Sequence, residues 1–144
     1  MCHHRRSKEG SVGYMKDTIV FTNGCFDILH RGHIELLRYC KSLGYVVVGL
    51  NSDKSVRRLK GPLRPVTADY DRKFLLEALT YVDEVIIFEE DTPLELIKKV
   101  TPHVIVKGGD YQPEDVVGKD IAEVKIFNYL SGHSTTEILG KLSE

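Results

Sequence analysis

Residues 18–37 read TIVFTNGCFDILHRGHIELL, and this stretch decides the fold. Thr18-Ile19-Val20-Phe21-Thr22 is a short β-branched and aromatic run, the composition of a strand buried on both faces. Asn23-Gly24 then predicts a loop. From residue 32 to 43 the spacing becomes helical: Ile34, Leu37 and Tyr39-Cys40 fall near one face, Arg38 and Lys41 on another, and Gly44 is a stop signal. A buried strand running into an amphipathic helix is the opening half of a βαβ unit.

The alternation continues down the chain. Further strands are predicted over 45–50, 84–88, 104–107 and 124–127. Helices are predicted over 69–80, with Leu75, Leu76 and Leu79 as the apolar face, and over 93–100, opened by Thr92 with Pro93 in its first turn. A last helix is predicted over 135–142, its start rich in the capping residues Ser134, Thr135 and Thr136. The stretch between residue 51 and residue 69 reads as a basic loop. Strands alternating with helices imply right-handed crossovers, so the expected architecture is α/β and Rossmann-like: a five-stranded parallel sheet with helices on both faces.

A chain of 144 residues, 42% of them hydrophobic, suits one domain, here residues 15–144 behind a loose polar extension over 1–14. His3 and His4 stand in that extension beside no other ligand type, which marks a solvated tail rather than a metal site. Twenty basic against twenty-one acidic residues leave a net charge of -1, so neither nucleic acid nor an anionic membrane is an expected partner. Cys2, Cys25 and Cys40 are odd in number and lack C-x-x-C spacing, which argues for a reducing cytoplasm over a disulfide framework or a zinc centre. No apolar run approaches the roughly 18 residues that span a bilayer, and the N-terminus lacks the apolar stretch of a signal peptide.

In parallel sheets ligands bind beyond the carboxyl ends of the strands, and the residues just past each predicted strand are rich in phosphate-binding chemistry. His30 and His33 lie three apart at the start of the first helix, beside backbone N–H groups that favour an anion, with Gly32 leaving room for close approach. Thr22, Asn23, Gly24, Cys25 and Phe26 lead into that turn and are assigned to the nucleotide. So are Lys107-Gly108-Gly109-Asp110, a point charge beside two permissive backbone positions, and Ser134-Thr135-Thr136, a second helix N-terminus with hydroxyls. Lys60 is expected at the reacting phosphates, with Asp27, Asn51, Asp53 and Arg64 at the second substrate, while Arg57 and Arg58 read as a solvated face. Two helix N-termini at one end of a sheet suit a triphosphate held for attack by a second phosphate on its α-phosphorus. His30 and His33 would stabilise that transition state. Magnesium is expected as the companion of the triphosphate, helped by Asp27, with no complete protein metal cage.

At these residues the sequence resembles the cytidylyltransferase-like family of nucleotidyltransferases, marked by G-x-F-D at Gly24 to Asp27, H-x-G-H at His30 to His33, and the terminal S-T-T. Within it, the stretches FTNGCFDILHRGHIELL, NSDKSVRRLKGPLRPV, FEEDTPLELI, VIVKGGDY and STTEIL look like the adenylyltransferase domain of bacterial heptose 1-phosphate enzymes, in register from about residue 18 to 142. The resemblance implies transfer of AMP from ATP to D-glycero-β-D-manno-heptose 1-phosphate, giving ADP-heptose and pyrophosphate on the way to lipopolysaccharide core. It also implies a homodimer, and a stand-alone version of a domain that relatives often fuse to a sugar kinase. Leu130-Ser131-Gly132-His133 replace the Arg-Thr-Glu that the wider family often carries before S-T-T, a departure shared by heptose-type members, and Val116 to Glu123 is shorter than in those relatives. The rival readings are a cytidylyltransferase acting on glycerol 3-phosphate or a similar phosphorylated alcohol, and a nucleotide-binding regulatory protein without catalysis.

Overall fold

A computed structural model describes residues 17–109 and 111–128. The extension over 1–14, the helix over 135–142, Asp110 and Ser134 to Thr136 lie outside the described residues. Five strands, β1 (Ile19–Gly24), β2 (Tyr45–Asn51), β3 (Glu84–Phe88), β4 (Val104–Gly108) and β5 (Glu123–Phe127), form one sheet in the order β3-β2-β1-β4-β5. All four pairings are parallel, as the alternation predicts. The first strand runs two residues past its predicted end, because Asn23 and Gly24 pair with Gly49 and Leu50 on β2 instead of turning.

The helices are α1 (Arg31–Leu43), α2 (Asp53–Lys60), α3 (Asp69–Glu77) and α4 (Leu94–Val100). Leu36, Leu37 and Cys40 of α1 and Leu76 of α3 bury against Val20, Val46, Val48, Leu50 and Val106 on one face of the sheet. Leu96 and Ile97 of α4 bury against Phe21, Val47 and Ile105 on the other. The chain leaves α1 through Gly44, where a Cβ would drive into the Thr18 carbonyl; the next residue, Tyr45, donates its N–H to that same oxygen at 2.8 Å. Only a residue without a side chain allows so close a return to the sheet.

Three elements differ from the sequence reading. The expected basic loop contains α2, which buries only Ser55 and Val56 and so leaves almost no hydrophobic period to detect; its signals are Ser52, whose hydroxyl caps the Ser55 N–H at 3.1 Å, and Gly61 at the end. Helix α3 stops at Glu77, not at residue 80, and of its expected apolar face only Leu76 is fully buried, Leu79 being half-buried and Leu75 exposed. Helix α4 begins after Pro93, which occupies the cap position without a side-chain capping bond, so Thr92 does not open it by capping.

Candidate active site

A cavity of about 540 Å³ opens beyond the carboxyl ends of β1, β2 and β4, spanning the point where strand order reverses between β1 and β4. That is where open parallel sheets place their ligands, and the volume suits a nucleotide-sized molecule. Asn23, Gly24 and Cys25 form its floor, His30 and His33 stand at the start of α1, and Lys60, Arg64 and Lys107 bring positive charge to its walls.

The two histidines are held by a capping box. His30 is the N-cap of α1 and its Nδ1 accepts the Gly32 N–H at 3.1 Å, while Nδ1 of His33 accepts the His30 N–H at 3.3 Å. The rings stack with centroids 3.8 Å apart, and Phe26 packs on His33 at 5.0 Å. An imidazole nitrogen that accepts a hydrogen bond carries no proton, so in the neutral ring the proton sits on Nε2. Capping and ligand binding are therefore not alternatives here: one nitrogen of each ring caps the helix and the other is a donor of fixed tautomer. Burial, followed by the neighbouring His30, pushes His33 down to about 3, so it acts as a neutral N–H donor and not as an imidazolium. Gly32, buried between them, has its N–H committed to His30, so its contribution is space rather than an anion-binding N–H.

Positive charge must then come from the lysines. Lys107 lies with its amine 4.7 Å from the Tyr111 ring centroid, and its pKa is lowered by burial and further by the charge of Lys60, against an opposing influence of Cys25. Lys60, exposed at the end of α2, faces the same cavity. Two cations close enough to oppose each other's charge form a site prepared for a polyanion.

Arg64 and Asp27 line the cavity but are bound to each other. Asp27 is buried, and its carboxylate accepts from Arg64 Nε at 2.9 Å, from Val66 N–H at 2.8 Å and from Thr67 N–H at 3.0 Å. Burial alone would raise this carboxyl; the Thr67 and Val66 N–H groups and the Arg64 guanidinium outweigh it and hold the pKa below the usual carboxylate value. Asp27 thus anchors the segment 64–67, with both of its oxygens engaged by these donors.

Other expected residues separate into those the fold brings to the cavity and those it does not. Asn51 lines it, with its amide donating to Ser55 Oγ at 2.9 Å. Asp53 lies outside the lining among the described residues, because its carboxylate is drawn to Arg72 at 2.8 Å and its N–H to Asp69 at 3.0 Å. Thr22 is outside the lining, 1% exposed within β1, with no hydrogen-bond partner for its hydroxyl among the described residues. Gly108 and Gly109 are not in the lining: Gly109, at φ +98°, donates its N–H to the Phe127 carbonyl at the end of β5.

The sequence reading passed over Arg72. Its guanidinium is 1% exposed and donates to Thr67 O at 2.8 Å, Cys25 O at 2.7 Å, Asn51 O at 2.8 Å and Asp53 Oδ1 at 2.8 Å. It ties together the turn after β1, the end of β2 and the segment bearing Arg64. The available signal was its position four residues before Leu76, a charge on the stripe that faces the core. Also passed over were Asp91, Thr92 and Pro93 after β3 and Tyr111, Asp115 and Val117 after β4, which close the opposite wall.

A family model described as cytidylyltransferase-like matches residues 21–139. The chain belongs to the cytidylyltransferase-like family. It is 57% identical over 126 residues to the bifunctional protein HldE of a Nitratiruptor species, covering 86% of this chain and 27% of that protein. It is 55% identical over 127 residues to the bifunctional protein HldE of Campylobacter fetus subsp. fetus, covering 87% and 28%. The chain thus spans about a quarter of the length of these curated relatives. Among solved structures it is similar to the lipopolysaccharide core biosynthesis protein from Thermoplasma volcanium GSS1, with a TM-score of 0.65 and 30% identity over 78% of this chain and 96% of that one. Both the cytidylyltransferase-like assignment and the Rossmann-like parallel fold agree with the sequence reading.

Proposed function

We propose that the chain is an adenylyltransferase that moves AMP from ATP to a heptose 1-phosphate. The observation that carries this reading is the pair of capped histidines, His30 and His33, each with its proton directed to Nε2, facing the same cavity as Lys60 and Lys107. An oxygen of the sugar phosphate attacks the α-phosphorus in line, a new P–O bond forms, the bond from the α-phosphorus to the bridging oxygen breaks, and pyrophosphate departs. No proton has to move and no covalent enzyme intermediate is needed. The histidines donate to the oxygens where charge develops, and Lys60 and Lys107 balance the triphosphate, so catalysis is by positioning and electrostatics.

Asn23, Gly24, Cys25 and Phe26 are assigned to the nucleotide side, and Asn51 and Arg64 to the acceptor side. Magnesium is proposed to arrive with ATP and to stay on the triphosphate, since the oxygens of Asp27 are already engaged. The resemblance to heptose 1-phosphate adenylyltransferases, the high identity to HldE proteins and the likeness to a lipopolysaccharide core biosynthesis protein support the choice of sugar. Among the described residues no helix is long and apolar enough to cross a membrane, and dependence on ATP favours the cytoplasm.

Pyrophosphate release with magnesium tests the reading, offering ATP or CTP against both anomers of heptose 1-phosphate and against glycerol 3-phosphate. Release with ATP and a heptose 1-phosphate is expected. Release only with CTP and glycerol 3-phosphate would keep the histidine chemistry and overturn both substrates; no release in any combination would favour a binding protein without turnover.

A further inference from the structure

Helix α2 ends at Lys60, on the wall of the cavity, yet it buries only Ser55 and Val56. Apolar packing therefore does little to fix where it lies, and polar bonds must. Three of these, spaced three residues apart along the helix, run to the loop that leaves β3. The Ser52 N–H donates to the Phe88 carbonyl at 2.9 Å, and the Ser55 hydroxyl to the Glu90 carbonyl at 3.3 Å. The Arg58 guanidinium donates through Nε to Asp91 Oδ1 at 2.9 Å and through Nη2 to the Glu89 carbonyl. Arg58, read from the sequence as part of a solvated face, is thus the outermost of the three ties. It grips the last turn of α2, the part of a helix that frays first, two residues before Lys60.

We propose that Arg58 is a positioning residue for nucleotide transfer: it binds the last turn of α2 to the loop after β3 and so fixes the Lys60 ammonium against the triphosphate. The proposal rests on the reading of the cavity as a triphosphate site, not on the choice of base or acceptor. Arg58 stands outside the cavity lining and its charge is paired with Asp91, so it acts through Lys60 rather than on the anion. A pair this exposed, 48% and 63% at the two side chains, contributes little to stability. What it supplies is direction, because a planar guanidinium bonded at two nitrogens holds an angle that a single contact does not.

Dissociation constants of magnesium ATP and magnesium CTP, measured by calorimetry on the full chain without acceptor, test the proposal. Lys60→Ala is expected to weaken binding about tenfold, the scale of one charge-assisted contact. Arg58→Ala should weaken it about threefold to fivefold, within the range of an exposed ion pair, and Arg58→Lys should recover only part. Placed on top of Lys60→Ala, Arg58→Ala should add nothing, because the group it positions is gone. Asp91→Ala separates position from charge: it removes a negative charge from the cavity wall, so electrostatics alone would tighten binding, whereas loss of the tie weakens it about as much as Arg58→Ala does. Hydrogen exchange supplies a readout free of ligand, with the amides of residues 59–61 expected to exchange faster in Arg58→Ala and Asp91→Ala while the melting temperature stays close to that of the wild type. Tighter binding by Asp91→Ala, an undiminished effect of Arg58→Ala in the Lys60→Ala background, or unchanged exchange over 59–61 would each overturn the proposal. Any of these in a chain that binds ATP leaves the activity reading standing, whereas a wild type that binds neither nucleotide overturns both.

Discussion

The turn carrying His30 and His33 and the segment carrying Arg64 meet at one cavity, yet they are held in opposite ways. The turn is held locally: each Nδ1 bond spans two or three residues and belongs to the helix start itself. The segment is held from far away, by Asp27, 37 to 40 residues upstream, and by Arg72, which reaches Cys25 and Asn51 over 47 and 21 residues. The local arrangement follows from a four-residue motif at a helix N-terminus. The distant one exists only once β1, β2 and α3 are assembled, so it should fail with the fold, whereas the histidine pair should fail with the chemistry.

The largest effect on stability is expected from Arg72→Ala. It removes the guanidinium donor from the carbonyls of Asn51, Cys25 and Thr67, the first of them buried, and leaves Asp53 without its cation, a loss of roughly 3–5 kcal/mol by analogy with broken buried charge networks. Urea unfolding measures it, and Arg72→Lys should recover only part because an ammonium cannot reproduce the guanidinium fork. A change below about 1 kcal/mol, the size of a single net hydrogen bond, would show that the distant network does not hold the site.

His33→Ala should act the other way round. Turnover is expected to fall by about two orders of magnitude or more through loss of one transition-state donor, while stability drops by only about 1 kcal/mol, the worth of a capping interaction. Initial rates and thermal melts on the same preparation separate the two; near-normal turnover would remove His33 from the mechanism.

The gentlest test is acid. An ordinary histidine titrates at 6.5, whereas the folded chain holds His33 down to about 3, so between those values the unfolded chain binds the extra proton. Stability is therefore complete above pH 6.5 and declines as pH falls toward 3. Asp27, also lowered, adds a further loss as the pH drops below the ordinary carboxyl value of 3.8. Melting temperature against pH should show the first limb in the wild type and a flatter one in His33→Gln. A limb unchanged in that variant would mean that His33 is not the group being titrated.

Much of the molecule was legible in advance, for a physical reason. Strands of a parallel sheet read as short runs rich in Val, Ile and Phe, so β2, β3, β4 and even the half-buried edge strand β5 could be found within a residue or so, and α1 declared itself through periodicity and Gly44. Helix α2 escaped because it buries only Ser55 and Val56, and a helix that contributes little to the core leaves no hydrophobic stripe. The hydrogen bonds that hold Asp27 were not legible, since nothing in its neighbours reveals that Val66 and Thr67 arrive at its oxygens. The pairing of Asp53, which stands outside the cavity lining, was hidden for the same reason, its partner Arg72 being 19 residues away.

By itself the sequence determined the alternation of strands and helices, the parallel sheet and the His30-Gly32-His33 turn, because periodicity and helix capping are set by residues within a few positions of each other. Only the tertiary structure decided which charges remain available to a ligand. Asp27 and Asp53 are engaged by partners distant in sequence, Arg64 is held at the cavity through its Nε, Lys60 and Lys107 are brought to the same cavity, and burial there keeps His33 neutral, since desolvation and long-range pairing depend on what the folded chain places nearby.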